Sequence, residues 1–271
     1  MDNQVKRCEG IAAAMRKDII GLADVLNGKP GHWGGALSCV EILAVLYGEI
    51  MNVKTDDFAL KDKFLLSKGH ASMALYTAMV ETGLLDRALL QTYQEDGSAL
   101  GDSVAMNPEL GFETSGGSLG INLSMGTGLA LLAKKKRYLY HTYVLVGDGE
   151  MDEGSVWEAI MLAAHMKLNN MTLLIDANGL QYDGRVEDIL SLEKLPEKLR
   201  AFGWKVTEAD GHICEELLSA LQQQTGERPH AMIAHTVKGK GISFMEGDYT
   251  WHDHVLAKDE LLQARKEVGL S

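Results

Sequence analysis

The sequence predicts an α/β protein built on a mostly parallel sheet with helices on both faces. Short aliphatic runs alternate with amphipathic segments of helical period, which is the pattern of parallel strands joined by helices. The chain has 271 residues, 46% apolar and 24% charged, so it is long and apolar enough to bury a sizeable core. Because it contains no internal repeat or low-complexity segment, we expect a single domain over 1–271.

The first half of the chain is predicted to be mainly helical. Apolar residues three or four positions apart indicate the first helix, and Ser38 with Glu41 forms a capping-box pattern at the start of the second. Gly83 stands where a C-terminal helix cap belongs. The predicted elements are helices over 5–26 and 38–51, a strand over 64–67, and helices over 71–81 and 86–94.

The second half is predicted to alternate strictly between helix and strand. It follows a stretch, 97–117, with five glycines and little periodicity, which is typical of a functional loop. Ser155 and Glu158 suggest a capping pair at one helix start. The predicted helices cover 119–133, 155–167, 192–202, 213–224 and 259–268, and the predicted strands cover 143–146, 171–175, 204–208 and 231–235. Ligands of such sheets bind at the carboxyl ends of the strands.

Charge, hydropathy and cysteine usage limit the partners and the cellular compartment expected for this chain. With 26 Lys+Arg against 38 Asp+Glu, the formal charge is −12, and the only basic run is 134–137, so we expect no nucleic-acid partner. No stretch approaches the ~18 apolar residues that a membrane span needs. The three cysteines lie far apart in sequence, which favours a reducing compartment and a cytoplasmic location.

Two of the predicted strands run directly into polar loops. Asp148 lies within Gly-Asp-Gly-Glu after strand 143–146, and Asn178 follows strand 171–175. Because carboxyl ends of parallel strands meet at one sheet edge, Asp148 and Asn178 are expected at one site, where oxygen ligands suit Mg²⁺ and a diphosphate. Asp152 breaks the Rossmann fingerprint, and the sequence has no P-loop. By itself, Gly-Asp-Gly also fits a plain turn.

The motifs taken together resemble the N-terminal half of transketolase. Gly-Asp-Gly followed after 28 residues (150–177) by Asn resembles the thiamine diphosphate motif, and the resemblance extends over nearly the whole chain. The tract over 235–254 favours transketolase over the alternative, the α-subunits of 2-oxo-acid dehydrogenases. The matching segments are GHWGGALSCVEILAVLY (31–47), LLSKGHASMALY (65–76), ETSGGSLGINLSMG (113–126), VGDGEMDEGSVWEA (146–159) and HTVKGKGISFMEGDYTWHDH (235–254).

The resemblance implies a thiamine diphosphate-binding fold of the diphosphate (PP) type and a set of site residues. Asp148, Asn178 and the carbonyl of Leu180 would hold Mg²⁺. His32, His70 and His252 would be the catalytic histidines. Glu153 and Glu158 match glutamates that connect paired active sites across the family's dimer interface. The residues that would contact thiamine diphosphate are Lys68, His70, Gly117, Leu119, Gly149, Glu150, Asn178, Lys238 and His252.

The resemblance also implies a second kind of chain as partner. In the family, the glutamate that activates the cofactor and the pocket for its pyrimidine ring lie in a following domain, whereas this sequence stops at Ser271. We therefore expect a separate C-terminal transketolase subunit, in a heterotetramer with two chains of each kind. The expected activity, present only with that partner, is transfer of a two-carbon ketol unit from a ketose phosphate to an aldose phosphate.

The sequence departs from the family pattern at three places. Residues 100–103 read Leu-Gly-Asp-Ser where the family usually has Gly-His-Pro, so a substrate-facing histidine is missing. Ile121-Asn122 replaces the usual His or Gln followed by Gly, and Ala177 replaces an Asn. These changes favour a branched or otherwise unusual ketose phosphate, or reduced activity. A non-catalytic cofactor-binding homologue is a further alternative.

Other histidines and cysteines are expected to have structural roles. His141, His165, His230 and His235 are expected to be surface or structural residues, and the His-x-His pair at 252–254 has no third zinc ligand at suitable spacing. Cys39 is expected in the core.

Overall fold

Five parallel strands form one sheet in the order β1-β2-β3-β5-β4 in the computed structural model, which describes residues 1–223 and 225–270. This confirms the predicted α/β class. The strands are β1 (Lys63–Leu66), β2 (Thr142–Gly147), β3 (Met171–Ala177), β4 (Lys205–Asp210) and β5 (His230–His235).

Helices connect the strands and flank the sheet. Short 3₁₀ turns lie at 69–71, 87–92, 149–152 and 249–252, and a π-helical turn covers 46–50. In the described residues, the α-helices are α1 (Asp2–Leu26), α2 (Trp33–Ser38), α3 (Val40–Val45), α4 (Ser72–Glu81), α5 (Ile121–Lys136), α6 (Gly154–His165), α7 (Val186–Ile189), α8 (Leu195–Ala201), α9 (Cys214–Leu221) and α10 (Lys258–Glu267).

The sheet separates two apolar cores, as alternation along each strand requires. Tyr143 and Leu145 of β2 belong to a core with side chains of α1, α3, α4 and α9. Val144 and Val146 point to the opposite face, where α5, α6 and α8 pack. Helices therefore cover both faces, and no helix of the described chain is both long and apolar enough to cross a membrane.

Several predicted helix ends are wrong because tertiary partners take the side chains that were expected to cap them. Ser38 ends α2 and donates to the carboxylate of Asp176 at 2.5 Å, while Glu41 lies inside α3 and pairs with Arg16 at 2.5 Å. The predicted helix over 38–51 is thus α3 continued by the π-helical turn. Ser155 likewise donates to the carbonyl of Gly120 (3.0 Å) and caps nothing.

Other boundaries also differ from prediction: α1 begins at Asp2 rather than 5, α5 covers Ile121–Lys136 rather than 119–133, and α8 begins at Leu195 rather than 192. The helix expected over 86–94 is a 3₁₀ turn, Arg87–Thr92, whose first turn is capped by the side chain of Asp86. Helix α9 ends at Leu221, and position 224, the predicted end, lies outside the described residues. The Gly83 cap is confirmed by its left-handed φ of +75°.

The glycine-rich stretch 97–117 is irregular, as predicted, and reaches the sheet edge through a close backbone contact. A Cβ on Gly69 would lie 2.6 Å from the backbone nitrogen of Gly117. Only glycine permits this approach, so these two loops are held side by side at the carboxyl end of β1.

Two glycines of α5 give a matched test of the packing against β2. A Cβ at Gly126 would overlap a methyl group of Val144, whereas a Cβ at Gly128 meets nothing within 4 Å. We expect Gly126→Ala to lower the free energy of unfolding by about 1–3 kcal/mol through overpacking. Gly128→Ala should raise it by about 0.5–1 kcal/mol, because alanine loses less backbone entropy in a helix. Urea unfolding measures both, and equal effects would contradict the packing of α5 on β2.

Candidate active site

A cavity of about 340 Å³ opens at the carboxyl edge of the sheet. It lies where the loops after β1, β2, β3 and β5 converge, the position expected for ligands of a parallel sheet. All of the predicted site residues line it: His32, Lys68, His70, Gly117, Leu119, Asp148, Gly149, Glu150, Asn178, Leu180, Lys238 and His252.

The floor of the cavity is organised by Asp176, the last residue but one of β3. Its carboxylate is fully buried and accepts hydrogen bonds from Lys68, Ser38, Thr236 and the amide of Asn178. Burial opposes both charges, but their mutual attraction keeps the pKa of Lys68 raised and that of Asp176 lowered. One ion pair thus joins four segments around the cavity.

Asp148 is a buried carboxylate without a cationic partner. Its side chain accepts from the backbone N–H of Gly149 at 2.9 Å and of Gly179 at 2.5 Å. It is 5% exposed, and no Lys or Arg nitrogen of the described chain lies within 4.0 Å of it. Burial and the nearby Asp176 raise the pKa of Asp148 to about 6.

The oxygen atoms around Asp148 suit a hard divalent cation. Asn178 and Leu180 line the cavity beside it. The side-chain oxygen Oδ1 of Asn178 accepts a hydrogen bond from the backbone N–H of Leu180 (N–O distance 3.1 Å). A buried negative charge, an amide oxygen and a main-chain carbonyl form the incomplete set that Mg²⁺ completes with phosphate and water. The residues present therefore fit a magnesium ion.

Lys238 is the converse case, a buried ammonium without a carboxylate partner. Its Nζ lies 3.0 Å from Nδ1 of His252 and 3.4 Å from the carbonyl of Gln181. The residue is 2% exposed, and among the described residues no carboxylate oxygen approaches it within 4.0 Å. Burial and the charge of Lys68 lower the pKa of Lys238 to about 8. An anion such as a diphosphate would restore its charge balance.

The three predicted catalytic histidines form one cluster. The ring of His32 lies 5.6 Å from His70 and 5.5 Å from His252, and the latter two are 4.8 Å apart. Burial, reinforced by neighbouring lysines, holds the pKa of His70 well below its usual range and lowers the pKa of His252 to about 3. His70 and His252 are therefore neutral near pH 7.

Glu150 braces the loops rather than standing free in the cavity. One carboxylate oxygen accepts from the Ser67 hydroxyl and from the Gly120 N–H at 2.8 Å, and the other accepts from the Gly147 N–H at 3.2 Å. These bonds tie β1, the start of α5 and β2 together. They hold Gly117 and Leu119 against the cavity.

Several lining residues carried no clear signal in the sequence. Gly35 allows close contact, since a Cβ there would lie 2.9 Å from the His70 ring. Tyr182 stands at the rim with its ring 5.0 Å from that of His252. Gln181, Gly147 and Ser103 also line the cavity. Gly35 and Gly147 lie inside the quoted motifs, and Gln181 and Tyr182 directly follow the predicted ligands Asn178 and Leu180, so their position in this loop was the signal that could have found them.

The structural roles expected for other residues hold. His141 and His230 bond threonine hydroxyls of neighbouring strands at 2.8 Å, whereas His165 and His235 are exposed outside the cavity. Cys39 is buried. Within 1–223 and 225–270, no group of three His, Cys, Asp or Glu side chains is placed to hold a metal. Glu153 and Glu158 are exposed, and their role across an interface stays a prediction.

One half-buried histidine was not indicated by any motif. His212 accepts from the Val237 N–H through Nε2 (2.8 Å), and its Nδ1 lies 3.0 Å from Glu41. This bridge anchors the loop that carries Lys238 to the helical layer.

The parallel sheet, the Asp148–Asn178 pair and the histidine cluster define the diphosphate-binding domain of a thiamine diphosphate enzyme. Residues 11–271 match the family described as "Transketolase, thiamine diphosphate binding domain". The chain belongs to this family, which decides in favour of transketolase over the 2-oxo-acid dehydrogenase alternative.

Individual relatives cover most of the chain. It is 39% identical to an apulose-4-phosphate transketolase subunit of Phocaeicola vulgatus, over 98% of this chain and 95% of that protein. It is 37% identical to a 6-deoxy-6-sulfo-D-fructose transketolase subunit of Clostridium sp., over 84% and 85% respectively. The crystal structure of transketolase from Campylobacter jejuni superposes with a TM-score of 0.87 at 28% identity, covering 97% of this chain. The chain spans 43% of that longer transketolase.

The buried Lys68–Asp176 pair can be tested by removing its cation. Lys68→Met leaves the Asp176 carboxylate buried and uncompensated, so we expect a loss of about 3–5 kcal/mol in the free energy of unfolding. The matched control, Lys167→Met, removes one partner of the exposed Lys167–Glu227 pair and should leave the unfolding midpoint unchanged. Thermal and urea denaturation measure both variants. A Lys68→Met protein as stable as the control would show that Asp176 is not held as a charged pair.

Proposed function

We propose that this chain is the N-terminal, diphosphate-binding subunit of a transketolase that depends on thiamine diphosphate and Mg²⁺. Together with a C-terminal partner chain it transfers a two-carbon ketol unit from a ketose phosphate to an aldose phosphate. The observation that carries the proposal is that one cavity contains a buried carboxylate without a cation, Asp148, and a buried ammonium without an anion, Lys238.

A magnesium diphosphate satisfies both of these charges at once. Asp148, Asn178 and the carbonyl of Leu180 would hold the metal, while Lys238 would face a diphosphate oxygen. Gly117 lines the cavity, and a Cβ there would meet nothing within 4 Å, which leaves room for close approach of a phosphate to the backbone; at Gly149 the corresponding space is filled by Gln181. When bound, thiamine diphosphate supplies the nucleophilic carbon of ketol transfer.

The histidine cluster would serve the proton movements of the reaction. Ketol transfer deprotonates and reprotonates substrate hydroxyls near neutral pH, which requires groups that accept and donate protons there. His70 and His252 are neutral, and neighbouring cations keep them so. They can therefore accept or share hydrogen bonds with substrate hydroxyls without repelling Lys68 or Lys238.

A partner chain is part of the proposal. Relatives that match nearly their whole length are named as transketolase subunits, and the solved transketolase is more than twice as long as the matching region. We therefore assign the catalytic glutamate and the pyrimidine pocket to a separate C-terminal transketolase subunit, in an assembly of two chains of each kind. A cytoplasmic location is supported by the three cysteines, all free and buried.

The substrate is proposed to be a sugar phosphate outside the common pentose phosphates. Ser103 and Asp102 occupy the loop where the family's substrate-facing histidine is missing, and Ser103 lines the cavity. A hydroxyl and a carboxylate bind sugar hydroxyls but do not donate as a cation. The relatives named above act on different ketoses by name, so the family match leaves this choice open.

Asp148→Asn tests the metal assignment. Loss of the carboxylate removes the only charged ligand proposed for Mg²⁺, so we expect magnesium-dependent binding of thiamine diphosphate to weaken at least tenfold, measured by titration calorimetry with the partner chain present. The control, Asp183→Asn, removes an exposed carboxylate from the neighbouring loop and should bind normally. Unchanged binding in Asp148→Asn would mean that the metal lies elsewhere.

Reconstitution tests the division of the enzyme between two chains. The tagged chain purified with its natural partner, plus Mg²⁺ and thiamine diphosphate, is expected to transfer ketol units from at least one member of a ketose phosphate panel. The same chain purified alone should show no turnover. A normal rate from the isolated chain would contradict the need for a partner, and an inactive complex across the panel would favour a non-catalytic homologue.

A further inference from the structure

His32 differs from the other two histidines of the cluster because it has an anionic partner. Its Nδ1 lies 3.0 Å from Oδ1 of Asp102. His70 has no carboxylate oxygen within 4.0 Å in the described part of the chain, and the partner of His252 is the cation Lys238. The three rings therefore stand in different electrostatic surroundings although they touch the same cavity.

Asp102 is itself held in place by three further groups. Its Oδ1 accepts from the side-chain amide of Gln94 at 3.0 Å and from the hydroxyl of Tyr93 at 3.4 Å, and its carbonyl accepts from the Ser72 hydroxyl at 2.6 Å. Gln94 adopts a left-handed backbone with φ of +58°, uncommon for a residue with a side chain, as the chain turns out of the 3₁₀ helix next to Asp102. The carboxylate is thus anchored before any substrate arrives.

We propose that Asp102 is a positioning residue that holds His32 as the Nδ1–H tautomer, so that Nε2 is presented as a proton acceptor for a substrate hydroxyl. The role of His32 toward a substrate hydroxyl rests on the proposed transketolase function, whereas the pairing of Asp102 with His32 does not. A carboxylate that accepts from Nδ1–H selects this tautomer, orients the ring and makes the opposite nitrogen more basic. Nε2 of His32 has no hydrogen-bond partner among the residues described, so it is free to accept.

The pairing explains how a carboxylate is accommodated where the family pattern has a histidine. One carboxylate oxygen of Asp102, Oδ1, contacts His32, Gln94 and Tyr93, while the side chain stays 41% exposed. The charge of Asp102 therefore acts on the imidazole at short range. His32 is thereby the histidine of the cluster that a carboxylate orients, whereas His70 and His252 lie beside Lys68 and Lys238.

The tautomer can be measured on the full chain without cofactor or partner. Nitrogen-15 NMR of histidine-labelled protein distinguishes Nδ1–H from Nε2–H, and His32→Gln identifies the His32 signals by their loss. We expect Nδ1–H for His32 in the wild type and a shift toward Nε2–H, the form that an unpaired histidine side chain prefers in water, in Asp102→Ala. The matched control, Asp96→Asn, removes an exposed carboxylate of the same loop and should leave the signals unchanged. A wild-type Nε2–H tautomer, or one unaffected by Asp102→Ala, overturns the proposal.

Kinetics of the reconstituted enzyme test the consequence for the reaction. Asp102→Asn keeps a hydrogen-bond acceptor beside Nδ1 but removes the charge, so we expect kcat to fall roughly tenfold or more while KM for the ketose changes less than threefold. Asp96→Asn should match the wild type. An unchanged kcat, or an effect confined to KM, overturns the proposed role of Asp102. If the wild-type complex transfers no ketol unit, the proposed function fails, and the NMR result still decides for or against the pairing.

Discussion

The buried ion pair between Lys68 and Asp176 is the interaction on which the site depends. Asp176 lies at the end of the central strand β3, and its carboxylate gathers donors from the loop after β1, from α2 and from the loop after β5. Two charges removed from water are tolerated only when every remaining polar atom is satisfied, and here the surrounding hydroxyls and amide do so. The pair therefore sets the separation of the strand ends, and with it the position of the histidine cluster above them.

The charges that remain unpaired around this network define what the cavity binds. Asp148 and Lys238 are almost completely buried, and each lacks a partner of opposite charge in the described chain. Burial raises the pKa of the carboxylate and lowers the pKa of the lysine, so each charge is costly until a ligand compensates it. A metal and a diphosphate bound together would compensate both charges, and this is the physical reason for proposing a magnesium diphosphate rather than a neutral ligand.

The three histidines line the same cavity but have different charged neighbours. His70 and His252 lie beside lysines and stay neutral, whereas His32 has a carboxylate that three other groups hold still. The carboxylate stands in the loop where the family pattern has a histidine. In the proposed pairing, this substitution acts through the tautomer of a neighbouring ring instead of simply removing a substrate contact.

The sequence by itself determined the fold class, the order of the strands along the chain and the Asp148–Asn178 pair, because strand periodicity and the loops that follow the strands are local patterns. Most of the other cavity-lining residues were expected from the resemblance to transketolase rather than from such patterns. The sequence misplaced Ser38, Glu41 and Ser155 as helix caps, since each of these side chains bonds a residue distant in sequence. Only the tertiary structure decided that Gln181 and Tyr182 reach the site and that Asp102 pairs with His32, 70 residues away. These contacts depend on how loops that are distant in sequence pack together at the carboxyl edge of the sheet, and no local sequence pattern encodes that packing.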